Sequence, residues 1–170
     1  MKRHLVVGSL LAVAVATVAP RAIQAGEGDY IGLFGGTWLG SGMVLNDAKP
    51  WQVNCRAIGQ PGVNHLTITG TCSVFVVSVP ITADVTYDPK SGRYSGTYLG
   101  GDRTAKISGK RSCDTVDFTM TWAKPINDNG DTRARMTIVN SGKGDLRIVI
   151  DNIKSNGPEE RASDLLLMQG

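Results

Sequence analysis

From Tyr94 to Trp122 the chain reads YSGTYLGGDRTAKISGKRSCDTVDFTMTW, and this stretch constrains the fold more than any other. It divides into three short runs, Tyr94–Leu99, Arg103–Lys110 and Thr115–Trp122, separated by Gly, Asp and Ser, residues that turn a chain cheaply. In the last run Val116, Phe118, Met120 and Trp122 alternate with Thr115, Asp117, Thr119 and Thr121. A period of two places one set on each face of a β-strand. The same unit, a half-apolar strand and then a polar turn, recurs along the chain.

Before it come Thr37–Leu45, Trp51–Ile58, His65–Cys72 and Ile81–Tyr87; after it come Thr132–Asn140 and Asp145–Ile153. Ser73–Val79 is apolar throughout, either a buried strand or a crossing between two sides of a barrel. Asn129-Gly130 signals a tight hairpin, because it accepts the positive φ of a type I′ turn. Short strands at even spacing with no helical pattern predict an all-β fold, an antiparallel up-and-down meander of eight or nine strands closed into a small barrel, with a β-sandwich as the alternative. The apolar faces would meet inside, leaving Asp84, Lys106, Asp117, Arg133, Arg135 and Arg147 in water. An outer-membrane barrel with the faces reversed would need strands of about 9–11 residues and aromatic girdles, which this pattern lacks.

Residues 1–25 read as a signal peptide: Lys2 and Arg3 precede an apolar run from Leu5 to Val18, and Ala25 offers a cleavage point. That run falls short of the roughly 20 apolar residues a transmembrane helix needs. Residues 26–36 form an N-terminal segment leading into the barrel, 37–153 the barrel domain, and 154–170 a polar C-terminal tail. Subtracting Lys2, Arg3 and Arg21 from 18 basic residues leaves 15, equal to the 15 acidic ones. A neutral mature chain has no electrostatic footing for nucleic acid. The expected location is periplasmic or secreted.

In an exported chain cysteines pair by default. Cys55 and Cys72 lie on consecutive strands in the apolar register, which predicts one disulfide and leaves Cys113, in a turn, as the odd thiol. His65 is the only imidazole after residue 25, and no nucleophile signature accompanies it. Asn127–Asp131 lacks the distal Glu of a calcium loop. The carboxylates are scattered, with Asp84 and Asp117 as the one pair a barrel could unite. The expectation is a non-enzymatic protein with no metal and no cofactor.

Gly36-Thr37-Trp38 opens the first strand ahead of the meander. This resembles the start of calycin-type barrels such as lipocalins and nitrobindin-like proteins. The resemblance implies that Trp38 closes the barrel floor and that the interior holds a small, often apolar, molecule. No histidine stands late in the chain where a nitrobindin-like haem ligand would sit. Trp38, Trp51, Phe118, Met120 and Trp122 are the candidate ligand-binding residues. The competing function is a cell-envelope protein-interaction module, such as a protease-inhibitor-like or assembly-partner barrel. It would use Gly26–Gly36, whose Tyr30, Ile31, Leu33 and Phe34 suit either an arm docking into an envelope protein or a plug over the chain's own barrel.

Overall fold

The structure is a computed structural model that describes residues 26–46 and 49–170; the proposed signal peptide lies outside them. A six-residue helix, α1 (Glu27–Gly32), is followed by ten strands: β1 (Gly36–Asn46), β2 (Lys49–Gly62), β3 (His65–Val74), β4 (Val77–Asp88), β5 (Arg93–Gly100), β6 (Arg103–Ser112), β7 (Thr115–Trp122), β8 (Arg133–Asn140), β9 (Asp145–Asn152) and β10 (Glu160–Gln169). Each strand pairs antiparallel with the next, and β1 pairs with β10 to close the barrel. Closure leaves no unpaired edge for another chain to extend.

The expected meander is present, with ten strands instead of eight or nine. The added strand lies at the C-terminal end, and one apolar stretch is placed differently. Ser73–Val79 is neither a separate strand nor a crossing: it straddles a hairpin, with Val74 paired to Val77 around a two-residue tip, Phe75-Val76. The region expected to be a polar tail holds the closing strand β10. There Ser163, Leu165 and Leu167 are buried while Leu166 and Met168 are exposed, a period of two within a segment whose charges disguise it. Asn129-Gly130 does not make a two-residue hairpin either. It sits in a longer loop between β7 and β8, where Asn127 Oδ1 accepts hydrogen bonds from the backbone N–H groups of Asn129 and Asp131, both at 3.1 Å.

Closure at the β1–β10 seam explains the glycines of the first strand. A Cβ at Gly40 would lie 2.0 Å from the carbonyl oxygen of Leu166, and one at Gly42 2.1 Å from that of Asp164. No side chain fits there, so the two backbones approach where any other residue would hold them apart. Outside the barrel, charge reinforces the neighbouring pair of strands. Arg147 on β9 donates two hydrogen bonds to the Asp164 carboxylate at 2.9 and 2.7 Å, and Arg161 donates to Asp151. Those bonds from Arg147 hold the Asp164 carboxyl below the usual carboxylate range.

The inward faces form one core, with Trp38, Val53, Ala57, Ile107, Val116, Phe118, Met120, Met136, Leu146 and Leu167 all buried. Asp84, Lys106, Asp117, Arg133, Arg135 and Arg147 are exposed, as the alternation required. Cys55 and Cys72 stand directly opposite each other on β2 and β3 and form the disulfide, while Cys113 is free and exposed. Titration of the denatured, unreduced chain should find one thiol. Reduction should lower unfolding stability by about 3 kcal/mol, the loop-closure value for a cross-link of this span, measured in urea.

Candidate functional site

One end of the barrel is stoppered by α1. Positions 27, 30, 31 and 34 fall on one side of a helical turn, and Tyr30, Ile31 and Phe34 are buried among the barrel's inward side chains. The turn continues past the helix: the N–H groups of Leu33 and Phe34 donate to the carbonyls of Tyr30 and Ile31 at 3.1 and 3.2 Å. The segment is therefore a plug over its own barrel and not an arm held out for a partner.

Several polar attachments seat the plug. Trp38 Nε1 donates to the Phe34 carbonyl at 2.9 Å, which puts Trp38 at the barrel floor as the resemblance implied. Buried Asn140 donates from Nδ2 to the Leu33 carbonyl at 3.3 Å. The third is charged. Arg111 Nε lies 3.0 Å from both oxygens of Glu27, and the Tyr94 hydroxyl donates to the same carboxylate. The Arg111 guanidinium also stacks over the Tyr30 ring at 4.6 Å, and the Tyr30 hydroxyl donates to the Asp114 carbonyl at 3.1 Å. With only 6% of the Arg111 side chain exposed, this ion pair is largely desolvated, so removing its carboxylate is costly, although the guanidinium also donates to the Cys113 carbonyl at 2.6 Å.

Above the plug lies an apolar cavity of about 70 Å³. Tyr30, Ile31 and Phe34 are its floor, and its walls come from β3 to β10, among them Leu66, Ala83, Tyr98, Phe118, Ile148 and Ser163. Nothing from β1 or β2 lines it, because Trp38, Val53 and the disulfide occupy that side of the interior. No Asp, Glu, Lys, Arg or His is among its lining residues. Burial pushes the Tyr98 hydroxyl up to about 12.

Of the five residues expected to bind a ligand, Phe118 alone lines this cavity. Trp38 is buried beside the plug, and Met120 is buried in the core outside the cavity lining. Trp51 has the inward register of Val53 and Cys55, but it lies at the unplugged rim and is 38% exposed. Trp122 packs edge-on against Tyr98 at 6.0 Å without reaching the cavity. Tyr94 and Tyr98, two residues either side of Gly96 on β5, are cavity residues that the alternation Tyr-Ser-Gly-Thr-Tyr could have revealed. Ser163 had no sequence signal.

Among the described residues no imidazole lines the cavity. His65 points outward on β3, its ring 3.0 Å from the Thr67 hydroxyl and 3.7 Å from the Asp84 carboxylate. Asp84 and Asp117 are both on the outside, on β4 and β7, three strands apart. Among the described residues no group of three or more His, Cys, Asp or Glu could hold a metal ion.

Two outcomes are expected from the plug. Glu27→Ala, which leaves the Arg111 guanidinium buried without its carboxylate, should cost about 3 kcal/mol in urea unfolding. The tyrosines set an alkaline limit. Burial foremost, and for Tyr94 also its bond to Glu27, raises Tyr30, Tyr94 and Tyr98 above the ordinary value of 10.0. Above that pH the unfolded chain loses protons that the folded chain keeps, so stability is whole below about pH 10 and falls toward pH 12. Tyrosinate absorbance at 295 nm should then rise in step with unfolding.

No protein-family model matches the chain, and no curated protein matches it. Among solved structures, it is similar to the crystal structure of Rv2717c from M. tuberculosis, with a TM-score of 0.62 over 84% of this chain and 96% of that one. At 12% identity the likeness is one of fold: a closed antiparallel barrel spanning nearly the whole of that neighbour.

Proposed function

We propose that this protein is an exported, non-enzymatic barrel that takes a small apolar molecule into its interior. The observation that carries the reading is the cavity between the α1 plug and the walls of β3 to β10, apolar on nearly every side. A cavity of about 150 Å³ takes benzene, so 70 Å³ has room for about three heavy atoms, and the ligand is compact. The Cys55–Cys72 disulfide supports an oxidising compartment, periplasmic or extracellular, and no described helix is long and apolar enough to cross a membrane.

A second reading, an envelope protein-interaction module, has its own observation. On the outer face of the seam, Ile58, Leu39, Met168 and Leu166 are all exposed on the adjacent strands β2, β1 and β10. At the unplugged end Phe75 and Val76 are 93% and 97% exposed. Such clustering of large apolar groups in water marks a contact surface. The N-terminal arm, by contrast, has Tyr30, Ile31 and Phe34 committed to the barrel and leaves only Leu33 of its four candidates exposed.

Native mass spectrometry of the mature protein from its own host separates the two readings. A bound mass on the order of 50 daltons supports the cavity; a co-purifying polypeptide supports the surface. The variant Ala83→Ile adds carbon atoms to the cavity wall. It should abolish small-molecule binding while the melting temperature holds or rises, whereas retained binding would place the ligand elsewhere.

A further inference from the structure

The β3–β4 hairpin carries the most exposed apolar residues of the unplugged end. Phe75 and Val76 are its two-residue tip, and Val77 and Val79 behind them are exposed as well. Trp51 belongs to the same cluster. Asn54 on β2 pairs with Ser73, which brings the partly exposed Trp51 level with the tip. β5 ends at Gly100, opposite Ile81, so on that side the hairpin runs on past its neighbour. Its end is a projecting wedge and not a groove.

The backbone of the tip does not call for this side chain. Phe75 has φ +52°, a region that glycine and asparagine enter readily and a bulky residue rarely does. Asn64, in the β2–β3 turn, has φ +54° with a residue suited to it. Phenylalanine at position 75 thus neither packs in the core nor favours its own turn, and backbone of this kind gathers at binding surfaces. The hydroxyls nearest the tip are already engaged, since Ser73 Oγ and Ser78 Oγ bond to each other across the hairpin at 2.8 Å.

Charge indicates what the wedge meets. No charged residue occurs from Cys72 to Ala83, which suits hydrocarbon. Lys49 and Arg103 are exposed on the strand ends to either side of the tip, where anionic headgroups would meet them. The acids of those two turns are Asp102 and, outside the described residues, Asp47. Asp128, Asp131 and Glu159 lie in the β7–β8 and β9–β10 loops, on the opposite side of this end. Phe and Val beside a Trp, flanked by basic residues, is the composition that settles between headgroups and acyl chains.

We propose that the β3–β4 tip anchors the protein to a lipid bilayer: Phe75 and Val76 enter the boundary between headgroups and acyl chains, Trp51 lies at that boundary, and Lys49 and Arg103 face the phosphates. None of these residues lines the cavity, so the anchor stands or falls apart from it.

Flotation of the folded protein with vesicles of phosphatidylethanolamine and phosphatidylglycerol tests the anchor. The wild type should float, with a blue shift of tryptophan emission that Trp51→Phe removes. Phe75→Asn should weaken vesicle binding at least about tenfold, the worth of burying one Phe side chain. The same variant should melt at the wild-type temperature or above it, because asparagine suits this backbone, so unfolding would not explain the loss. Vesicles of phosphatidylcholine alone should still bind the wild type, since the inserted tip is uncharged. No flotation of the wild type with either vesicle would overturn the anchor and assign the tip to a protein contact. Binding that requires phosphatidylglycerol and persists in Phe75→Asn would be adsorption by charge, and would overturn it equally.

Discussion

The structure depends on the seam where β1 meets β10. A meander of ten strands is an open, twisted ribbon until its first and last members pair, and only then do the inward faces enclose a core. The approach of the two backbones is so close that Gly40 and Gly42 have no room for a Cβ. The seam also places Trp38 over the floor, where its indole binds the Phe34 carbonyl. Hydrogen bonding, sterics and burial thus meet along one line, and the cavity exists because that line closes.

Inside, the space is divided unequally. The side under β1 and β2 is filled by Trp38, Val53 and the disulfide; the side under β3 to β10 keeps a cavity of about 70 Å³. Barrels of this size need no pore, since side chains can occupy the whole interior. Here the widest walls carry isoleucine, valine and alanine, and the aromatic rings of Tyr30, Phe34, Tyr94 and Phe118 gather toward the plug. The unfilled space is therefore roofed by strands and floored by a helix fastened through the Glu27–Arg111 pair. That arrangement joins the occupancy of the interior to the seating of α1.

Strand type, order and outward charges were legible because alternation over eight residues survives any detail of packing. The same reasoning paired Cys55 with Cys72 and put Trp38 inward. It failed where register alone does not fix depth along the barrel axis. Trp51 is inward by parity yet stands at the rim, and Met120 and Trp122 are inward yet lie away from the cavity. The tail was misread because Glu159, Glu160, Arg161 and Asp164 dominate its composition, although Ser163, Leu165 and Leu167 keep the alternation. Ser163 could not be anticipated: its orientation comes with a bulge, and a bulge is set by pairing with β9.

The register of the seam also dictates an order of events. Trp38 pairs with Gln169, so the first strand waits for the last, and no partial chain emerging from its amino end can complete the barrel. Hairpins such as β5–β6–β7 can form locally and early, since their partners are neighbours in sequence, whereas the seam must await long-range closure. Until then β1 is an open edge rich in glycine, and a glycine-rich strand holds its register weakly. The same residues that permit the tightest contact in the finished protein leave its last-paired edge loosely registered beforehand.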